Sequence, residues 1–140
     1  MRTIPWTSNA ALVLMLGMLL LNPVQAATFR AEREALRAGQ ALVEMAALGE
    51  IDAAFAQAAE LSRPGDTEAL ARLDAQKRLV AERSEGGISA LSRPEEAFFA
   101  GCLTRTYELR RSSGQRQFWR LKFRRGVAGW YLSDLNLRAS

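Results

Sequence analysis

The side chains able to do chemistry in this chain are few. Its 140 residues contain no histidine and one cysteine, Cys102. That excludes histidine triads, zinc sites built on histidine, cysteine-clustered metal sites and an internal disulfide. No metal and no cofactor is expected. Cys102 is either a half-buried apolar filler or an exposed thiol able to link two chains. From Ala97 onward the carboxylates are Glu108 and Asp134 alone, so an acid or base in that half must be one of these. Cations are plentiful there. Arg116, Arg120, Lys122 and Arg124 alternate with Gln117, Trp119, Leu121 and Phe123. On a strand, side chains two apart share a face and stand about 7 Å from one another. These four would emerge in a row, with Arg110 across a hairpin and Phe118 among them. Such a row can hold an anionic envelope component (acidic polysaccharide or phospholipid headgroups), an acidic protein, or the acidic half of another copy in a homodimer. It can equally be a solvated face whose cations discourage aggregation.

The elements that must position these side chains change type along the chain. From Ala27 to Glu96 there are nine basic and thirteen acidic residues; from Ala97 to Ser140 there are nine basic and two acidic. The change of sign coincides with a change of hydrophobic period, which predicts a single α+β domain over 27–140, mainly helical over 27–85 and an antiparallel meander over 86–140. A first helix is expected from a cap at Thr28 to about Leu48, ending at Gly49. A second carries Ile51, Ala54, Phe55, Ala58 and Leu61 and stops at Ser62-Arg63-Pro64-Gly65. A third, capped by Asp66, runs to about Arg83 and buries Leu70, Leu73, Leu79 and Val80. Ser84 to Gly87 is a loop.

Strands follow: about Phe98 to Arg111, Gln117 to Arg125, and Trp130 to Leu137, with turns at Ser112–Gly114 and Gly126–Gly129. Three-residue turns would set Tyr107 opposite Trp119, Leu103 opposite Phe123, Phe123 opposite Tyr131 and Trp119 opposite Leu135, all on one face. Trp130 and Leu132 then face the wrong way. Either a bulge shifts the last strand or the outer face is partly covered.

The first 26 residues carry the features of an export signal. Arg2 gives a positive start, no acidic residue precedes Glu32, and Ala10 to Leu21 is an apolar run broken by Asn22-Pro23. Val24 and Ala26 put small side chains at the −3 and −1 positions, so cleavage is expected after Ala26. Twelve apolar residues reach about 18 Å against roughly 30 Å of hydrocarbon, so no stable membrane span is expected after cleavage. The mature chain is expected to be periplasmic or secreted, where nucleic acid is a poor partner despite the basic balance.

Gly86-Gly87-Ile88, the strand ending Thr106-Tyr107-Glu108-Leu109, the segment Phe118-Trp119-Arg120-Leu121-Lys122-Phe123, and Gly129-Trp130-Tyr131-Leu132 together resemble the nuclear transport factor 2-like superfamily, in particular its small exported members of undefined function. The resemblance implies N-terminal helices packed on a curved antiparallel sheet, a cystatin or nuclear transport factor 2-like cone. It also implies a cavity between the first helix and the inner sheet face, here lined by Tyr107, Trp119, Phe123 and Tyr131 with Arg105 on the same parity. A buried arginine needs a partner, such as Glu44 of the helix; the alternative is a filled core with Arg105 at its rim. Relatives that isomerise or dehydrate use an inward carboxylate with a hydrogen-bond donor, a role open to Asp134 only if the last strand is shifted; otherwise it is a surface aspartate.

These readings favour a secreted or periplasmic, non-enzymatic ligand- or protein-binding domain. The alternatives are a proton-transfer enzyme using Asp134 and a tyrosine, and an envelope protein binding anionic surfaces through the basic strand.

Overall fold

A computed structural model describes residues 31–83 and 87–139. The export signal and its cleavage point, the Thr28 cap and the loop at Ser84–Gly86 lie outside the described residues. Within them, three helices precede a five-stranded antiparallel sheet that curls without closing.

Helix α1 (Glu32–Ala47) buries Ala35, Ala38, Gly39, Leu42, Val43 and Ala46, one stripe at spacings of three and four. It stops in a Schellman motif. Gly49 takes a left-handed φ of 85°, its N–H donates to the carbonyl of Ala46, and the Glu50 N–H reaches that of Met45 at 2.9 Å. Helix α2 (Ile51–Leu61) buries Ala54, Phe55, Ala58 and Leu61. Helix α3 (Thr67–Arg83) is capped as expected, with the Ala69 N–H donating to Asp66 Oδ1 at 3.0 Å. Its buried residues are Ala69, Leu73 and Val80, whereas Leu70 is 44% exposed, contrary to expectation. The reason is where α3 lies. It packs on the last strand, at a border of the sheet, so one narrow line of the helix suffices to cover it.

The sheet consists of β1 (Ile88–Leu91), β2 (Glu95–Phe99), β3 (Cys102–Arg111), β4 (Arg116–Gly126) and β5 (Gly129–Ala139). β3, β4 and β5 are neighbours in that order, while β1 and β2 pair with successive stretches of β3. The strand expected to begin near Phe98 is therefore two strands. Ala100 and Gly101, at φ of 52° and 75°, turn the chain between them, so that Phe99 lies opposite Cys102. Alanine is not a turn-forming residue, which hid this hairpin in the sequence.

The β3–β4 hairpin has the expected three-residue turn, with Gly114 at φ 88°. Its register places Tyr107 opposite Trp119 and Leu103 opposite Phe123, as expected. The β4–β5 register is different from that expected. Its turn has two residues, Val127 and Ala128, and a bulge at Ser133 follows. Trp119 pairs with Leu137, Leu121 with Leu135, and Phe123 with Leu132. The bulge, rather than cover on the outer face, resolves the parity conflict. It turns Trp130 and Leu132 inward with Leu135 and Leu137, and it turns Tyr131 outward.

All three helices contribute to the core. Phe55 meets the Trp119 ring at 5.9 Å between centroids, and Leu42, Val43 and Leu61 are fully buried with Tyr107, Trp119 and Phe123. Residues of the helical half also bond along β5. Gln76 Oε1 accepts from the Leu137 N–H at 3.0 Å, Arg72 Nη2 donates to the Ser133 carbonyl at 3.4 Å, and Ser62 bridges to Leu132. No helix among the described residues is long and apolar enough to cross a membrane.

Candidate functional site: the uncovered sheet face

Alternation along β4 divides its side chains cleanly. Gln117, Trp119, Leu121 and Phe123 are buried under the helices; Arg116, Phe118, Arg120, Lys122 and Arg124 stand on the opposite face. β3 adds Thr104, Thr106, Glu108 and Arg110 to that outer face, and β5 adds Tyr131, Asp134, Asn136 and Arg138.

The cations on this face fall into two groups. Arg116 and Arg110 both bind Glu108 Oε1, through their Nε atoms at 2.5 and 3.1 Å. The guanidinium of Arg116 also lies 5.8 Å from the Phe118 ring centroid, within cation–π range. Hydrogen bonds from Arg116 and then Arg110 hold the Glu108 carboxyl below the usual glutamate range. This half of the row is neutralised in part and fixed in place. Arg120, Lys122, Arg124 and Arg138 form no ion pair among the described residues. Lys122 lies opposite Asp134, yet Asp134 pairs instead with Arg72 of α3, at 3.7 Å.

Where the bulge meets the loop between α2 and α3, the face deepens into an open concavity of about 310 Å³. Arg63, Arg72, Lys122 and Arg124 supply its cations, and Asp66, Asp134 and Tyr131 its other polar groups. Arg63 and Arg72 are contributions that the sequence did not suggest, because the docking of α3 against the bulge is not readable from helical periodicity.

The inner-face residues take other places. Tyr107, Trp119 and Phe123 are fully buried as packing groups between the helices and the sheet. The Trp119 indole N–H is buried without an acceptor among the described residues. Tyr131, expected beside them, stands outward with Arg124 because of the bulge. Arg105 sits at the rim. Its partner is not Glu44 but Glu96, directly across in β2, whose Oε1 lies 2.5 Å from both Nε and Nη2. Arg105 Nη1 also donates to the Tyr107 hydroxyl at 3.4 Å. Burial alone would lower the pKa of Arg105, but the bonds to Tyr107 and Glu96 outweigh it and raise it. Burial likewise pushes the Tyr107 phenol up. The space beside Arg105 is an open groove of about 510 Å³ along Glu32, Arg33, Leu36, Arg37 and Gln40 of α1.

Asp134 and Tyr131 both line the open concavity at the sheet border, where the carboxylate is ion-paired to Arg72. Asp134 therefore stands on the surface of the sheet, its side chain 39% exposed. Among the described residues, no group of three or more acidic, cysteine or histidine side chains could hold a metal ion.

No protein-family model, curated protein or solved structure matches this chain. Its chemistry rests on the geometry alone.

Proposed function

We infer that this chain is an exported, non-enzymatic binding module, built on a frame of the nuclear transport factor 2-like kind, that holds a polyanionic partner on the outer face of its sheet. One observation carries the reading. Every helix packs on the inner face or along the β5 border, and the face left open presents Arg120, Lys122 and Arg124 in one row with no ion pair of their own. Arg138 of β5 stands on the same face, diagonal to Arg120. Same-face spacing of about 7 Å is shorter than the Debye length of roughly 8 Å at physiological salt, so their fields add. An extended anion can meet several of them at once, and the concavity at the bulge offers a deeper seat for one anionic group. The N-terminal apolar run followed by Val24-Gln25-Ala26 supports export.

Binding of an acidic polysaccharide, measured at low and high salt, tests this reading. The wild-type protein is expected to bind with a steep loss on raising salt, and Arg120→Glu with Lys122→Glu to abolish binding while leaving the melting temperature nearly unchanged, since neither side chain has an ion pair to lose. Salt-insensitive binding, or none, would show the row to be only a solvated face. Mass spectrometry of the exported species, expected to begin Ala27-Thr28-Phe29, checks the compartment separately.

A further inference from the structure

Two hairpins turn at one end of the sheet. Ala100–Gly101 joins β2 to β3, Val127–Ala128 joins β4 to β5, and the pairing of Cys102 with Arg124 puts both turns at the same end. Positive φ at both Ala100 and Gly101 makes the first a tight two-residue reversal of the I′ kind. It leaves Phe98 and Phe99 at the tip, 66% and 83% exposed, and Val127 is bare on the second turn at the same end of the sheet. Large apolar side chains left in water in such a cluster mark a contact surface.

The arrangement of the two phenylalanines says what kind of surface. Consecutive strand residues point to opposite faces. Phe99 therefore shares the outer face with Cys102 and Arg124, while Phe98 points the other way with Leu103. A partner laid flat against the sheet would cover Phe99 and leave Phe98 in water. A medium that is apolar in every direction covers both. The cations are placed to match. Arg124 and Arg125 come just before the second turn, also on opposite faces, and neither forms an ion pair among the described residues. Arg124 is level with Phe99 in the ladder and Arg125 lies one step nearer the turn, so the long guanidinium side chains flank the apolar tip and can snorkel back to phosphoryl groups while the phenyl rings enter acyl chains.

Resting on the outer-face reading above, we propose that the partner is an anionic lipid bilayer, into which the paired hairpin tips insert Phe98, Phe99 and Val127 while Arg124 and Arg125 engage the headgroups. The sheet then stands on the membrane end-on. Lys122 and then Arg120 follow Arg124 along the outer face of β4 in steps of about 7 Å, so a tilt of that face toward the bilayer brings the same row to the headgroups.

Co-sedimentation of the full chain with phosphatidylglycerol-containing vesicles, phosphatidylcholine vesicles and a soluble acidic polysaccharide tests this. Phe98→Ser with Phe99→Ser is expected to weaken partitioning onto the anionic vesicles by more than about tenfold, because each phenylalanine then contributes little apolar burial. Its melting temperature and polysaccharide binding should be unchanged. In a Phe99→Trp variant, brominated acyl chains should quench the new indole. Polysaccharide binding without vesicle binding overturns the membrane proposal and leaves the outer-face reading standing. Equal vesicle binding by the double variant, or an unquenched Trp at position 99, does the same. Loss of polysaccharide binding in the double variant means that the tips grip a polyanion rather than a bilayer, which also overturns the proposal. A wild type that binds neither removes both readings.

Discussion

Glu108 accepts two arginines on one oxygen, and the pH response follows from that. Its pKa is lowered in the folded state, so whatever the cluster contributes to stability is present above the unfolded glutamate value and is lost as pH falls through the lower folded one. A carboxyl-detected NMR titration should find Glu108 titrating below the exposed glutamates, and Arg116→Gln should move its midpoint upward. Tyr107 has the opposite sign. Burial raises its pKa, so the stability it contributes is intact below the ordinary tyrosine value and lost as pH rises beyond it; Tyr107→Phe should blunt that alkaline loss. At this scale the sequence was legible where parity alone decides. The outward set Arg116, Arg120, Lys122 and Arg124 and the inward set Trp119, Leu121 and Phe123 both stand as expected. Partners were not legible. Arg105 was expected to find a carboxylate on the first helix and found Glu96 instead, because pairing depends on a strand, β2, that no alternation announces in Glu95–Phe99.

Two elements have single positions on which their placement depends. α1 passes so close to the sheet that a methyl group at Gly39 would lie 2.7 Å from Phe123 Cζ and 3.1 Å from Leu121 Cδ2. Alanine at a helical site normally stabilises by about 1 kcal/mol over glycine, but forcing atoms into a packed core costs about 1–3 kcal/mol. Gly39→Ala is therefore expected to lower the melting temperature, and Gly39→Leu to lower it further. In β5 the position is Ser133, whose hydroxyl donates to the Lys122 carbonyl at 3.1 Å within the bulge. Deleting Ser133 removes only the extra residue and leaves Leu132, Leu135 and Leu137 in strict alternation on the inner face. The deletion is expected to fold, whereas Leu132→Ala is expected to cost about 2–5 kcal/mol, the range for removing a large aliphatic group from a core, read by chemical denaturation. The conflict that this bulge resolves was visible in the sequence as the misplaced parity of Trp130 and Leu132. Its position was not, because serine carries no bulge signal of the kind that glycine does.

For the whole molecule, helices first and a meander afterwards could be read from the switch in period and in charge. The order of the inner and outer faces followed from it. What could not be read was how α3 and the α2–α3 loop lie against β5, since nothing in a helical repeat specifies which strand it will meet. That contact has a consequence for copies of the chain meeting one another. Along one border of the sheet, Gln76, Arg72 and Ser62 already occupy backbone groups of Leu137, Ser133 and Leu132. Along the other, the two short strands are interrupted by Ser92-Arg93-Pro94, and the second begins with Glu95-Glu96. Proline removes a donor, and like charges on two chains repel. A free sheet border is the template on which chains add to one another without limit, and here neither border offers a long run of vacant backbone groups. The fold should resist templated fibre growth even at high concentration, and opening the β5 border with Gln76→Ala and Arg72→Ala should be the change that makes it seedable.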